Sequence, residues 1–255
     1  MFGRGNRTLK NTFLHIPGIG YQTEKRIWES GIRTWNQCLR RTSHLPLGPR
    51  QTEVVVDEIS RSLDQLDRKN QTFFRDKLPR RELWRAFPEF RDSIAYLDIE
   101  TTGLSPYHDD ITVIGLYDGN DVHTFVRGIN LRDFRKEIQK YKLLVTYNGA
   151  GFDLRFIEEE FSGIGLNQIH IDLRFPLYRV GLKGGLKAIE RTVGISRAEE
   201  TQGLDGFDAV RLWKEYEAGK QESLDLLVAY NREDIVNLEA LMRIAYSTLR
   251  RSCFL

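Results

Sequence analysis

Four acids and a tyrosine stand where they could do chemistry. Asp98 and Glu100 are two residues apart in the apolar run Tyr96-Leu97-Asp98-Ile99-Glu100-Thr101-Thr102-Gly103-Leu104, Asp153 follows the turn Asn148-Gly149-Ala150-Gly151-Phe152, and Asp234 comes four residues after Tyr230. In a β-strand successive side chains alternate between faces, so Asp98 and Glu100 point the same way while Leu97 and Ile99 point into a core. Two such acids repel each other unless something positive sits between them. A hard divalent cation with oxygen ligands, Mg²⁺ or Mn²⁺, answers that need. An isolated Asp-x-Glu also fits a solvated strand edge, so the elements around it decide.

Those elements read as a mixed α/β domain. The strand of Asp98 is followed by a second apolar strand over 111–117, Asp-Gly turn chemistry at Asp118-Gly119-Asn120-Asp121, and a third strand over 122–126, which predicts three antiparallel strands. A helix over 131–140 leads to Leu143-Leu144-Val145-Thr146-Tyr147, a run that suits a central parallel strand. Asp153 then opens a helix reaching Phe161, which places a third acid at the carboxyl edge of a sheet. Residues 169–172 read as a short strand, with Asp172 assigned to a structural hydrogen bond, and 186–193 as a helix. From Glu222 the residues Leu224, Leu227, Val228, Ile235, Leu238, Met242, Ala245 and Leu249 trace one face of a long helix. Tyr230 and Asp234 share a face beside that stripe and can meet the acids of the strand.

The 255 residues, 40% of them hydrophobic, suffice for a packed domain and a smaller one. No window is apolar enough to cross a membrane, and Met1-Phe2-Gly3-Arg4-Gly5 lacks the apolar segment of a signal peptide, so a cytoplasmic location is expected. Cys38 and Cys253 have no Cys or His neighbours at ligand spacing, which fits a reducing compartment without structural zinc. Net charge is +2, yet residues 1–91 carry 18 Lys and Arg against 10 Asp and Glu, while 92–255 carry 20 against 26. A basic part beside an acidic one suits a polyanion-binding module joined to a metal-holding one.

Three regions are expected: a small all-α unit at 1–45, a helical linker at 46–91 and the α/β domain at 92–255. In the first, Pro17-Gly18-Ile19-Gly20 precedes a helical stretch over 21–30 and a stop at Gly31-Ile32. A tight turn of this kind opens backbone N–H groups at a helix start, where phosphate is welcome. It resembles the helix-hairpin-helix family, which implies that Pro17, Gly18, Ile19 and Gly20 grip a DNA backbone; a hairpin used for packing has the same residues. His15 and His44, with no partner in sequence, read as structural, and Trp28 and Trp35 as core. Apolar positions from Gln51 to Arg68 recur at helical spacing. Arg80, Arg81 and Arg85 then surround Trp84 and Phe87, as in either a packed linker or a stacking platform for single strands.

Taken in order, Asp98-Ile99-Glu100-Thr101-Thr102-Gly103, Asn148-x-x-x-Phe152-Asp153 and Tyr230-x-x-x-Asp234 resemble the three motifs of the DEDDy 3′–5′ exonucleases, and Trp84-Arg85-x-Phe87-Pro88 before the first motif looks most like their YprB-type branch. Ala229, where a histidine subclass would have His, leaves the tyrosine type. The resemblance implies a ribonuclease H-like mixed sheet flanked by helices and two-metal phosphodiester hydrolysis. It implies that Asp98 bridges two ions, Glu100 and Asp234 complete the site of the attacking water, Asp153 serves the second ion, and Tyr230 orients the water. It further implies that backbone near Thr101 and Thr102 receives the 3′-OH, Leu104 wedges against the last base, and Asn148 and Phe152 line the strand's path. The expected substrate is single-stranded DNA. An RNA 3′ exonuclease, a structure-selective endonuclease and a non-catalytic nucleic-acid binder are the alternatives.

Overall fold

A computed structural model of the chain describes residues 8–254; Met1–Gly5, at the start of the small unit expected over 1–45, lie outside the described residues. The chain divides into two compact units, Met1–Asp92 with Asn167–Ile169, and Ser93–Leu166 with His170–Leu255. Among the described residues no helix is long and apolar enough to cross a membrane.

The first unit is helical: α1 (Tyr21–Glu29), α2 (Trp35–Arg40), α3 (Pro49–Asp67), α4 (Gln71–Lys77) and α5 (Phe87–Phe90). Thr34 and Asn70 cap α2 and α4 by accepting from N–H groups inside the first turn, and Pro49 opens α3 where its missing N–H costs nothing. Phe13, Ile27, Trp35, Ile59 and Phe74 are fully buried, with Trp35 stacked on Phe74 at 6.2 Å between centroids. His15 is structural as expected: its Nε2 lies 2.9 Å from Ser62 Oγ, and burial lowers its pKa to about 3, so it is neutral. Of the two readings of the Arg-aromatic stretch, packing prevails. Trp84 and Phe87 are 1% and 3% exposed, and the buried Arg85 guanidinium is 2.7 Å from Glu82, so neither ring offers a free face for a base.

The second unit carries a five-stranded sheet in the order β3-β2-β1-β4-β5, with β1 (Ile94–Thr101), β2 (Ile111–Tyr117), β3 (Val122–Val126), β4 (Leu143–Thr146) and β5 (Ile169–Asp172). Strands β1 to β3 are antiparallel and β4 runs parallel to β1. The intervening helices are α6 (Phe134–Glu137), α7 (Asp153–Glu160), α8 (Arg174–Arg179), α9 (Leu186–Thr192), α10 (Gly206–Glu217) and α11 (Gln221–Phe254). The helix expected over 131–140 is broken: two 3-10 turns flank the four-residue α6. Two helices, α8 and α10, lie where none was expected; α10 begins with a capping box in which Asp205 and Asp208 serve each other's backbone.

Both faces of the sheet are covered. On one, Leu97 and Ile99 of β1 pack with Ile114, Leu144, Phe156 and Ile157. On the other, Val113 and Val126 meet Leu212 and Trp213 of α10 and Leu227 of α11. Helix α11 lies so close to the sheet that only glycine fits at position 115, opposite Asp98: a Cβ there would stand 2.0 Å from Asn231 Oδ1 and 3.1 Å from Ile235 Cδ1. Overpacking of this kind costs about 1–3 kcal/mol. Gly115→Ala is therefore expected to lower the urea midpoint of this unit while leaving its urea m-value unchanged; an unchanged midpoint would show that α11 can move away freely.

Candidate active site

Alternation along β1 turns Leu97 and Ile99 to one core and sends Asp98 and Glu100 to the opposite face, under α11. A bulge between Glu100 and Thr101 shifts the register with β2, and β1 ends at Thr101, one residue after the second acid. Asp234, one turn after Tyr230 on α11, reaches the same place. One ligand atom from each of Asp98, Glu100 and Asp234 lies within 4.8 Å of the others.

Asp153 opens α7 and is 3% exposed; it stands outside that close group but is in electrostatic reach of Asp98 and Asp234. Its Oδ1 is buried and makes no hydrogen bond. Burial, followed by repulsion from the other acids, pushes Asp98 well above the ordinary carboxylate range. Burial and then Asp234 do the same to Glu100. For Asp153 burial is again the main cause, against two backbone N–H donors, and its pKa is pushed up to about 7. Three buried acids and the half-buried Asp98, all oxygen donors and one with an orphaned atom, form a set that fits hard divalent cations. Asp98, Glu100 and Asp234 are the residues that would hold one, with Asp153 placed to serve a second.

Three residues beyond the expected set shape this pocket. Asn231, 1% exposed, donates from Nδ2 to Asp98 Oδ2 at 3.1 Å and to Glu100 Oε1 at 3.4 Å. Arg197, in the loop after α9, makes a two-pronged bond to Glu190 at 2.7 and 2.8 Å and also bonds Asp234 Oδ1. Lys187 of α9 donates to the Tyr230 hydroxyl and sits 4.2 Å from the ring centroid. Asn231 left a readable trace, since it is the polar residue interrupting the stripe between Leu227 and Ile235. Lys187 and Arg197 left none, because each reaches the site from a distant segment. Burial, reinforced by Asp234, Glu100 and Asp98, raises the Tyr230 pKa, so its hydroxyl keeps its proton.

These groups border a cleft of about 960 Å³. Thr101, Thr102, Leu104, Asn148 and Phe152 all line it, as do Arg174 and Lys187. Leu104 is 81% exposed, whereas Phe152 rests against Phe156. The Thr102 N–H is already bonded to the Asp110 carbonyl at 2.9 Å, and the Thr101 hydroxyl to the Gly103 carbonyl at 2.6 Å. Asn148 adopts a left-handed φ of +65°, held by its N–H on Asp172 and by Arg174 on its Oδ1 at 2.7 Å. Asp172 also takes the N–H groups of Ala150 and Arg174, the structural role expected of it. Pro17, Gly18, Ile19 and Gly20 belong to the first unit, where Gly18 has φ +79° and Gly20 precedes α1. The described residues before that turn form a 3-10 turn, Leu9–Asn11, and not an α-helix.

The RNase_H superfamily matches this chain over residues 95–246. Among solved structures, the chain is similar to the family B DNA polymerase of the hyperthermophilic archaeon Pyrobaculum calidifontis, at 16% identity and a TM-score of 0.48, over 59% of this chain and 24% of the polymerase. It is also similar to Brucella melitensis NrnC with bound Mg²⁺, at 20% identity and a TM-score of 0.46, over 66% of this chain and 79% of NrnC. No curated protein matches it.

The raised carboxyl pKa values fix the sign of a pH effect. A group whose folded pKa lies above its unfolded value stabilises the fold below the unfolded pKa and loses that contribution as pH rises through the folded one. For Asp153 the window runs from the ordinary carboxyl value of 3.8 to about 7. Without divalent ions, Asp153→Asn is thus expected to raise the melting temperature at pH 8, by an amount on the order of 2–4 kcal/mol in stability, and to change little at pH 4. Melting curves in EDTA across that range check it; an equal effect at both pH values would contradict the electrostatic origin.

Proposed function

Because the chain belongs to the RNase_H superfamily and gathers four acids, three of them buried, beside an open cleft, we propose that it is a metal-dependent 3′–5′ exonuclease of the DEDDy type acting on single-stranded DNA. The observation that carries this reading is the group of Asp98, Glu100 and Asp234 within 4.8 Å of one another. Phosphodiester backbones are the natural ligands of cations held by few carboxylates, since those cations complete their coordination with phosphate oxygens. Bound divalent cations, Mg²⁺ or Mn²⁺, would supply charge neutralisation and an activated water.

The chain's own residues do the rest. Tyr230 stays protonated beside the acids, which suits it to orient a water and not to deprotonate one. Lys187 occupies one lone pair of that hydroxyl, so the Tyr230 proton is directed elsewhere. Arg197 and Asn231 fix the rotamers of Asp234, Asp98 and Glu100. Leu104, exposed at the cleft, is suited to wedge against a terminal base, and Phe152 and Asn148 to border the strand. The Thr101 and Thr102 groups engaged in the turn hold its backbone in shape, so reception of a 3′-OH there falls to backbone not already bonded. Residues 1–45, with Pro17, Gly18, Ile19 and Gly20, are proposed as an added grip on the DNA backbone, and the YprB-type branch as the place of the chain in its family. RNA is the second substrate reading, because nothing in the catalytic residues separates DNA from RNA, which are told apart by contacts near the sugar 2′ position.

With Mg²⁺ or Mn²⁺, 5′-labelled linear single-stranded DNA is expected to give a descending ladder from its 3′ end, absent with Asp98→Ala. Tyr230→Phe should lower kcat by about 10- to 100-fold through misplacement of the water. Ladders on RNA alone would move the substrate to RNA. Cleavage of a closed single-stranded circle would replace the exonuclease by an endonuclease, and tight binding without cleavage on any substrate would leave a binding protein.

A further inference from the structure

One wall of the cleft continues onto a surface that the catalytic reading does not use. Residues 173–189 hold Arg174, Arg179, Lys183 and Lys187 and no acid, in a chain with 36 acids in 255 residues. Within this stretch α8 is anchored by Pro176 and Leu177, both buried, and its outward face presents Phe175 and Tyr178, which are 58% and 61% exposed. A single exposed ring is ordinary. Two rings three residues apart, bracketed by exposed Arg174, Arg179 and Lys183, are a different matter. Lys183 Nζ stands 4.7 Å from the Tyr178 ring centroid, so cation and ring already form a unit.

We infer that this face, Phe175 and Tyr178 with Arg174, Arg179 and Lys183, is a binding track for the body of a single-stranded nucleic acid whose end lies in the cleft. Bases stack on the two rings and the cations neutralise the phosphates between them, a sequence-tolerant mode of recognition. Continuity supports this occupant, because Arg174, Gly184 and Lys187 of the same stretch line the cleft itself. Charge supports it too, since residues 92–255 outside this stretch carry 26 acids against 16 bases. The track rests on the proposed function for its direction, yet it makes a claim of its own: affinity must grow with strand length, whether or not cleavage occurs.

The test measures fluorescence anisotropy of labelled 3-mer and 12-mer oligonucleotides with the full chain in EDTA, where metal-dependent cleavage is blocked. The wild type is expected to bind the 12-mer more tightly than the 3-mer. In Phe175→Ala/Tyr178→Ala the 12-mer affinity should drop by about tenfold or more, from the loss of two stacking platforms. Lys183→Glu should reduce the salt slope of log Kd for the 12-mer by about one. Ile129→Ala, which removes an apolar side chain 64% exposed on another segment, is the control and should change neither. Unchanged 12-mer affinity in the double variant would overturn the track and leave the patch to a protein partner, as would a wild type that binds both lengths equally or neither. A wild type that shows the length dependence but cleaves nothing when Mg²⁺ is added would overturn the exonuclease reading and uphold the track.

Discussion

Mutual repulsion among Asp98, Glu100, Asp153 and Asp234, three of them buried, is the constraint on which the second unit depends. At an effective dielectric constant near 20, two unit charges about 4 Å apart repel by about 4 kcal/mol. A whole domain is stable by only about 5–15 kcal/mol. The counter-charges built into the chain do not balance four acids. Arg197 is shared with the buried Glu190, Lys187 bonds the neutral Tyr230 hydroxyl and acts on Asp98, Glu100 and Asp234 only through space, and Asn231 contributes a neutral amide. The remaining imbalance can be met in two ways, by protons or by divalent cations. The raised carboxyl pKa values describe the first; the oxygen-only donor set describes the second.

Bringing such groups together at all requires a scaffold stiffer than the repulsion. The central strand β1 supplies it, paired on both edges with β2 and β4 and covered on both faces. Pairing with β2 places the backbone of Asp98 and Glu100, and the Asn231 amide fixes their side chains. Helix α11 brings Asp234 in from above, and its close approach is permitted by the missing side chain at Gly115. Asn231 fills the space so gained and bridges the two strand acids. Sheet, glycine and amide thus act as one device: widening the gap at position 115 or shortening Asn231 would each loosen the same pocket.

What could be read from the chain beforehand divides along range. The strands over 111–117, 122–126 and 169–172 were legible because alternation, Asp-Gly turn chemistry and β-branched content are local signals. The ribonuclease H-like mixed sheet with flanking helices followed from the motifs, and the fold agrees. The short helix α8 escaped because six residues give too little periodicity. Helix α10 escaped although its Asp205-x-x-Asp208 capping box lay in plain view; the pattern sought at helix starts has Glu or Gln in the last place. The coming together of Asp98, Glu100 and Asp234 was expected from strand alternation and helical spacing. Lys187 and Arg197 were not, since their roles come from tertiary contacts over 37 to 43 residues of separation.

Charge distribution sets a further requirement on any polyanionic substrate. Residues 92–255 carry 26 acids against 20 bases, and the cleft itself is rimmed by carboxylates, so the average field of this part opposes approach. Attraction must then be local and close to the entrance, because exposed charges act over only about 10 Å at ordinary salt. The acid-free stretch 173–189 meets that condition: it reaches the cleft through Arg174 and Lys187 and carries its remaining bases on the adjoining surface. Acids concentrated at the reacting end and bases along one wall give the cleft a polarity. Under the proposed function, a strand entering along that wall would place its phosphates on the basic side and its terminal linkage toward Asp98 and its neighbours.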